Sequence, residues 1–232
     1  MYFRPGSHKE AGLSFSPIKA IVSPRPIGWI SSCGEDGSIN LAPYSYFNAI
    51  SELPPMVMFS SAPSSNVQHK DSLRNVTETE EFVVNVVSAA LGDAMNITSA
   101  DLAYGQNEFT VAGLEMADCN TVNIPRVAAA PAALECKLWK VIELPKPETD
   151  GAETGIAGVM VIGTITGIHI ANEIVKDGKI EGTSLFAFDA DADSYLVADQ
   201  SKNMFLVSAN DNGLSRSNLT TVDRTRRTVE LT

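Results

Sequence analysis

Trp29-Ile30-Ser31-Ser32-Cys33-Gly34-Glu35-Asp36-Gly37-Ser38-Ile39-Asn40-Leu41-Ala42 is the stretch whose reading decides the fold. Its two runs, Trp29 to Ser32 and Ile39 to Ala42, flank Glu35-Asp36-Gly37-Ser38, a turn signal that predicts a β-hairpin. Outward from it, Ile18 to Val22 and Ile27 to Ser31 are short apolar runs punctuated by Pro24 and Pro26, which read as edge strands or bends. Val57-Met58-Phe59 and Phe82 to Val87 read as buried strands. Leu134-Glu135-Cys136-Lys137-Leu138 alternates as a half-buried antiparallel strand does. Val159 to Ile170 is rich in Val, Ile and Thr, and Gly163 and Gly167 there mark bends or close backbone approach. Helices are fewer. Asp71 to Glu80 is predicted helical with Asp71 or Ser72 as cap, and Ser88 to Thr98 with Ser88 as cap. A short helix from Asn172 to Lys176 stops at Asp177-Gly178. Many short strands and few helices predict a mainly β fold, a closed β-barrel with helices packed outside.

The chain has 232 residues, with 17 Lys and Arg against 28 Asp and Glu, a net charge of −11. One main domain over residues 1–200 is expected at this length. Residues 201–232 read as a polar C-terminal tail, mobile or an arm that orders against a partner subunit. The acidic balance opposes a nucleic-acid footprint, which needs clustered cations, and opposes adsorption to an anionic membrane. No apolar stretch approaches the roughly 20 residues of a membrane span. The N-terminus lacks the apolar region of a secretory signal. Cys33, Cys119 and Cys136 are odd in number and far apart, as reduced thiols are, so a cytoplasmic protein is expected.

Several chemistries lack their motifs. There is no Gly-x-Gly-x-x-Gly for a Rossmann crevice, no Walker loop and no Gly-x-Ser-x-Gly elbow. His8, His69, His169 and the cysteines show no metal-ligand spacing, so no metal site is expected.

Four clusters carry candidate chemistry, each with a plainer alternative. Pro24-Arg25-Pro26 displays Arg25 rigidly, as a phosphate fork would require; the alternative is a solvated surface arginine. Asn40-Leu41-Ala42-Pro43-Tyr44-Ser45-Tyr46-Phe47-Asn48 mixes small, hydroxyl and aromatic residues, and can turn backbone N–H groups towards a planar ligand; the alternative is a strand end with Tyr and Phe in the core. Phe59-Ser60-Ser61, then Lys70-Asp71-Ser72, end a strand in hydroxyls and begin a helix behind a lysine, a setting for a phosphate. The Asp71 carboxylate would repel that phosphate, so Asp71 is read as the cap while Lys70 and Ser72 face the anion. The alternative is an ordinary amphipathic helix. His169 shares a strand face with Gly163, Ile165 and Gly167, glycines that would open room for a ligand; the alternative is a half-buried, hydrogen-bonded histidine.

Together the motifs resemble the flavin reductase-like family with an FMN-binding split barrel. The matching stretches are Ser23-Pro24-Arg25-Pro26-Ile27-Gly28-Trp29-Ile30-Ser31, Asn40 to Asn48, Pro54-Pro55-Met56-Val57-Met58-Phe59-Ser60, Lys70-Asp71-Ser72-Leu73-Arg74-Asn75 and Glu81-Phe82-Val83-Val84-Asn85. They stand in the family's order and spacing, and Pro131 to Leu138 and Gly163 to Ile170 continue them. The resemblance implies a homodimeric Greek-key split β-barrel with peripheral α-helices that binds FMN non-covalently. By it, Asn40, Ala42, Tyr44, Ser45 and Tyr46 would line the isoalloxazine. Ser60, Ser61, Lys70 and Ser72 would hold the phosphate, with Arg25 and Ser31 as further candidates and His169 near the ring.

The activity implied is hydride transfer from NADH or NADPH through FMN to free flavin or a redox partner protein. The chemistry rests on the flavin N5 rather than on a protein acid or base, with His169 the one side chain that could take a catalytic part. The alternatives are an FMN-containing electron carrier, whose acidic surface suits a basic partner, and an FMN-binding sensor or storage protein. After Leu185 the chain departs from the family pattern. Phe186-Ala187-Phe188-Asp189-Ala190-Asp191-Ala192-Asp193 is acidic where relatives carry an Arg-Gly-Gly-like stretch, and carboxylates there would repel a dinucleotide's phosphates.

Overall fold

Seven strands form one antiparallel sheet in a computed structural model that describes residues 1–22, 25–61, 70–100, 102–103, 105–145, 156–180, 194–198, 204–210 and 213–217. The expected hairpin is present as β1 (Gly28–Cys33) and β2 (Ile39–Tyr44), paired from Gly28 opposite Tyr44 to Cys33 opposite Ile39. Gly37 makes the turn with φ of 82°, where a side chain would be strained. β3 (Phe47–Glu52) and β4 (Pro55–Ser61) form a second hairpin, and β5 (Glu81–Asn85) joins β1. A short pair, β6 (Met116–Ala117) and β7 (Arg126–Val127), precedes the two long strands β8 (Ala132–Pro145) and β9 (Ile156–Ile170).

The strand order in the sheet is β2-β1-β5-β8-β9-β4-β3. Its two edges, β2 and β3, are consecutive in the chain and joined by Ser45 and Tyr46 alone, so the sheet curls until its edges meet without pairing: a split barrel. Contact across the split is direct. A Cβ on Gly28 would stand 2.5 Å from the Phe47 ring, so β1 can approach β3 only through a glycine.

Alternation along β1 sorts two cores. Ile30 points into the barrel with Tyr44, Phe59, Phe82 and Val161, whereas Trp29 faces outward with Leu41, Phe109 and Val127. Phe59 and Phe82 are fully buried and meet edge to face at 5.5 Å between centroids. Burial of each such ring stabilises the fold by about 1.5–3 kcal/mol.

Four helices lie among the described residues: α1 (Ile18–Ile21), α2 (Asp71–Thr79), α3 (Gly92–Ile97) and α4 (Glu108–Val111). Three differ from expectation. Ile18 to Val22 is not a strand; Pro17 precedes it at φ −77° and the run makes one helical turn with Ile18 and Ile21 exposed. The segment from Ser88 breaks into a 3₁₀ turn (Ala89–Leu91) and α3, and Thr98 spends its hydroxyl on the Trp29 indole N–H at 2.8 Å. Asn172 to Lys176 holds only a 3₁₀ turn (Asn172–Ile174). It continues into a hairpin of β10 (Val175–Lys176) and β11 (Lys179–Ile180), whose turn residues Asp177 and Gly178 both have positive φ.

The chain divides into two compact units, Pro26–Ala187 and Met1–Arg25 with Phe188–Thr232. The second contains α1 and a three-stranded antiparallel sheet of β12 (Ser194–Ala198), β13 (Met204–Asn210) and β14 (Gly213–Ser217), which crosses residue 200. The acidic stretch 189–193 lies outside the described residues, as do His69 and residues 146–155. No helix among the described residues is long and apolar enough to cross a membrane.

Candidate functional site

The ends of β2 and β4 meet the start of α2 in a polar cluster at the barrel wall. Residues 40, 42 and 44 share the inward face of β2, so Asn40 and Tyr44 both point to where α2 begins. The Asn40 amide and the Ser72 hydroxyl are hydrogen-bonded at 2.7 Å. Glu108, from α4, accepts the Leu41 N–H at 2.9 Å, and with the Asn40 amide turned over, its nitrogen donates to Glu108 Oε1 at 3.3 Å. A chain of polar contacts thus runs from a buried carboxylate to the first turn of α2.

Tyr44 ends β2 and packs on Phe59 at 4.9 Å between centroids. Its hydroxyl is buried against the Ser61 and Ser72 hydroxyls but closes no hydrogen bond of ordinary geometry. Burial pushes the phenol up to about 12, the two serines pull the other way, and the Asp71 and Glu108 carboxylates add to the rise. It is therefore a neutral donor at physiological pH. Above it, Lys70 is exposed with Nζ 5.8 Å from the Tyr44 ring centroid, and among the described residues it has no carboxylate in ion-pair contact.

Lys70 is also the N-cap residue of α2, and no side chain caps that helix. The expected caps are otherwise engaged: Ser72 turns to Asn40, and Asp71 makes no capping bond. Burial raises the Asp71 pKa while Arg74 opposes the rise. First-turn N–H groups left without a side-chain acceptor form an anion-seeking end. Ser60 donates its N–H to the Tyr46 carbonyl at 2.8 Å, which ties the β2–β3 link to the end of β4. Ser45 is half-buried in that link, and Ala42 packs on the barrel core.

Asn40, Tyr44, Ser61, Lys70 and Ser72 are therefore brought together, with Ala42, Ser45, Tyr46 and Ser60 on the same strand ends. Two expected residues, Ser31 and His169, are not. Ser31 shares the outward face of β1 with Trp29, is fully buried, and donates to the Pro125 carbonyl at 2.7 Å. Arg25 belongs to the other unit, where Nη1 donates to the Lys19 and Val22 carbonyls. His169 pairs with Ala133 near the end of β9, whereas Ser61 pairs with Val159, about 30 Å of extended strand away.

The expectation that Gly163 and Gly167 open room for a ligand is corrected. A Cβ on Gly163 would stand 2.5 Å from the Phe82 ring, and one on Gly167 2.9 Å from the Glu135 carboxyl carbon. Both spaces are filled by this chain's own side chains. Glu135 is 1% exposed and accepts from Asn120 N (2.8 Å), Thr121 N and Oγ1 (2.5 Å each), and shares a 2.5 Å contact with His169 Nε2. Burial opposes its charge, but these bonds outweigh it and hold the carboxyl down at about 2.

Sequence reasoning missed Glu108 and Glu135. Asn107, whose side chain accepts the Phe109 N–H at 2.9 Å, was a readable cap before Glu108. Glu135 had no such signal. A bulge between Glu135 and Cys136 breaks the strand's alternation and buries both.

A split antiparallel barrel with an uncapped, lysine-led helix at its wall is the architecture of a flavin-handling class. The flavin reductase like domain model matches residues 22–187, and the chain belongs to that family. An uncharacterised protein of Aquifex aeolicus is 40% identical over 125 residues, which are 54% of this chain and 64% of that protein, so this chain spans just under two thirds of that relative. Among solved structures, nitrilotriacetate monooxygenase component B from Bacillus cereus superposes with a TM-score of 0.70 at 24% identity, over 96% of this chain and 98% of that one. The 2-nitrobenzoate 2-nitroreductase NbaA of Pseudomonas fluorescens does so with a TM-score of 0.59 at 26% identity, over 99% and 96%. Membership of this family supports a flavin-linked redox role.

Proposed function

We propose that the protein binds FMN non-covalently at the Tyr44–Ser61–Lys70–Ser72 cluster and acts as an NAD(P)H-dependent oxidoreductase. The observation that carries the reading is the buried Tyr44 hydroxyl, which has no partner among the described residues, beside Lys70, which has no ion pair among them, and a helix start without a side-chain cap. Buried polar groups are nearly always satisfied, so an orphan beside an anion-seeking helix end is best explained by a ligand. One lysine and one helix terminus suit a single phosphate, which supports FMN over a dinucleotide flavin.

In this reading Lys70 and the first-turn N–H groups of α2 hold the phosphate, assisted by Ser60 and Ser61. Ser72, fixed by Asn40, and the Tyr44 phenol supply hydroxyl donors beside it. The exposed Tyr46 and the backbone of Ala42 and Ser45 flank the ring. Bound FMN supplies hydride acceptance at N5 from NADH or NADPH and electron delivery to an acceptor, free flavin or a partner protein. The chain's own task is to orient the ring and keep water from its buried edge. Trp139 and Ile168, both 61% exposed on adjacent strands β8 and β9, support pairing of two chains.

The test is the visible spectrum of the purified protein, followed by NADH and NADPH consumption with and without added FMN. A protein that stays colourless after FMN is added would refute the cofactor; a yellow one that leaves both nucleotides intact would refute the reductase. Lys70→Ala is expected to weaken FMN retention about tenfold or more, the worth of one charge-assisted bond.

A further inference from the structure

We propose that Cys119, Glu135 and His169 form a binding site for a divalent late transition-metal ion of the Zn²⁺ class, which pins the loop after β6 to β8 and β9. A sulfur, a carboxylate oxygen and a ring nitrogen from these residues all lie within 4.8 Å of one another. They come from a loop and two strands, so no spacing along the chain announces them. A thiolate, an imidazole and a carboxylate are together the ligand set that selects zinc over magnesium or calcium.

The geometry needs small movements. His169 Nε2 and Glu135 Oε1 are 2.5 Å apart. Zinc bonds of about 2.0–2.1 Å at tetrahedral angles put two such atoms about 3.3 Å apart, so they must part by about 1 Å. Cys119 Sγ must close to about 3.6 Å from each, the spacing set by a zinc–sulfur bond of about 2.3 Å. Cys119 sits on a half-buried loop position rather than in a strand, where such a shift is feasible.

The surroundings are those of a prepared ligand. Asn120 and Thr121 fix the Glu135 carboxylate through three hydrogen bonds that metal binding leaves in place. Gly167 leaves the space the carboxyl occupies. Charge balances once the ion is bound, since thiolate and carboxylate neutralise it; in the free protein, burial and the Glu135 charge push the Cys119 thiol up to about 11, so the thiolate forms only with the ion. The His169 side chain is 20% exposed, which gives an entry path and a fourth position for water. On binding, the Cys119 thiol releases its proton and His169 ligates through Nε2 as a neutral imidazole.

The test uses the full-length protein after chelator treatment, titrated with Zn²⁺ by calorimetry and with Co²⁺ by visible absorption. The expected result is one ion per chain, with tetrahedral Co²⁺ bands and a thiolate charge-transfer band that Cys119→Ser removes. Cys119→Ser and His169→Gln should each weaken Zn²⁺ binding at least about tenfold while circular dichroism stays unchanged. Absence of stoichiometric binding by the wild type would overturn the proposal. So would binding that both substitutions leave intact, since it would then reside on surface carboxylates. Flavin binding is read separately by its own spectrum, so either conclusion can fail without the other.

Discussion

Glu108 and Glu135 are both buried carboxylates, 5% and 1% exposed, yet they titrate in opposite directions from the usual range. Glu108 is raised by burial, opposed by only the Leu41 N–H and its own. Glu135 is also raised by burial, but two backbone N–H groups, a threonine hydroxyl and an imidazole reverse the sign. At Glu135 the donors outweigh burial; at Glu108 they do not. Their neighbourhoods differ in the same way. Around Glu108 the polar chain ends in groups that lack acceptors: the Tyr44 hydroxyl and the first turn of α2. Around Glu135 the lone pairs are filled, and one of the groups that fill them, the His169 imidazole, can yield its place to a cation. One cluster solicits an anion, the other a metal.

The largest expected effect separates the two carboxylates by deletion. Glu135→Ala strands Asn120 N, Thr121 N and His169 without their acceptor and should cost about 3 kcal/mol or more in urea unfolding at neutral pH. Glu108→Ala strands the Leu41 N–H and the weaker Asn40 contact, and should cost about half as much. Equal losses would break the contrast.

Titration tests the sign. The Glu135 pKa of about 2 lies below its ordinary 4.5. Its stabilisation is therefore complete above about pH 4.5 and drains as the pH falls through about 2. The Glu108 pKa is raised, so its native state keeps a proton that the unfolded chain has lost, and stability falls as pH rises from 4.5 through the raised value. Relative to wild type, Glu135→Gln should become progressively worse from about pH 2 to about pH 5. Glu108→Gln should improve as pH rises above about 4.5. Unfolding free energies across that range decide it, and parallel curves for the two variants would refute the assignment.

What could be read in the sequence follows from the range of the interactions. The β1–β2 hairpin was legible because Asp36-Gly37 fixes it locally, with the Asp36 carboxylate accepting the Ser38 N–H at 3.0 Å. α2 was legible from its apolar spacing, but its cap was not, because Ser72 is diverted to Asn40 from another element. Most of the Tyr44 cluster was readable because strand ends and a helix start are marked along the chain. The Glu135 cluster depends on a bulge and on β8–β9 register, which no local pattern carries. Gly163 lies between these extremes. Close approach was foreseeable there, its partner Phe82 was not. Gly163→Ala should cost about 1–3 kcal/mol through overpacking, seen as a lower unfolding midpoint at unchanged slope.

The smallest stability change is the most pointed. The Tyr44 hydroxyl has already lost its water and gained no hydrogen bond in return. Removing it by Tyr44→Phe forfeits nothing and should leave stability within about 0.5 kcal/mol of wild type, or slightly above it. The ring, and with it the contact to Phe59, is kept. FMN retention, by contrast, should fall about fivefold or more, since the ligand loses a donor with no other claim on it. The two readouts must diverge if the site awaits a ligand. A loss of more than about 1 kcal/mol in the flavin-free protein would mean that Ser61 or Ser72 satisfies the hydroxyl on its own. The anion-soliciting cluster would then be as self-sufficient as the one around Glu135.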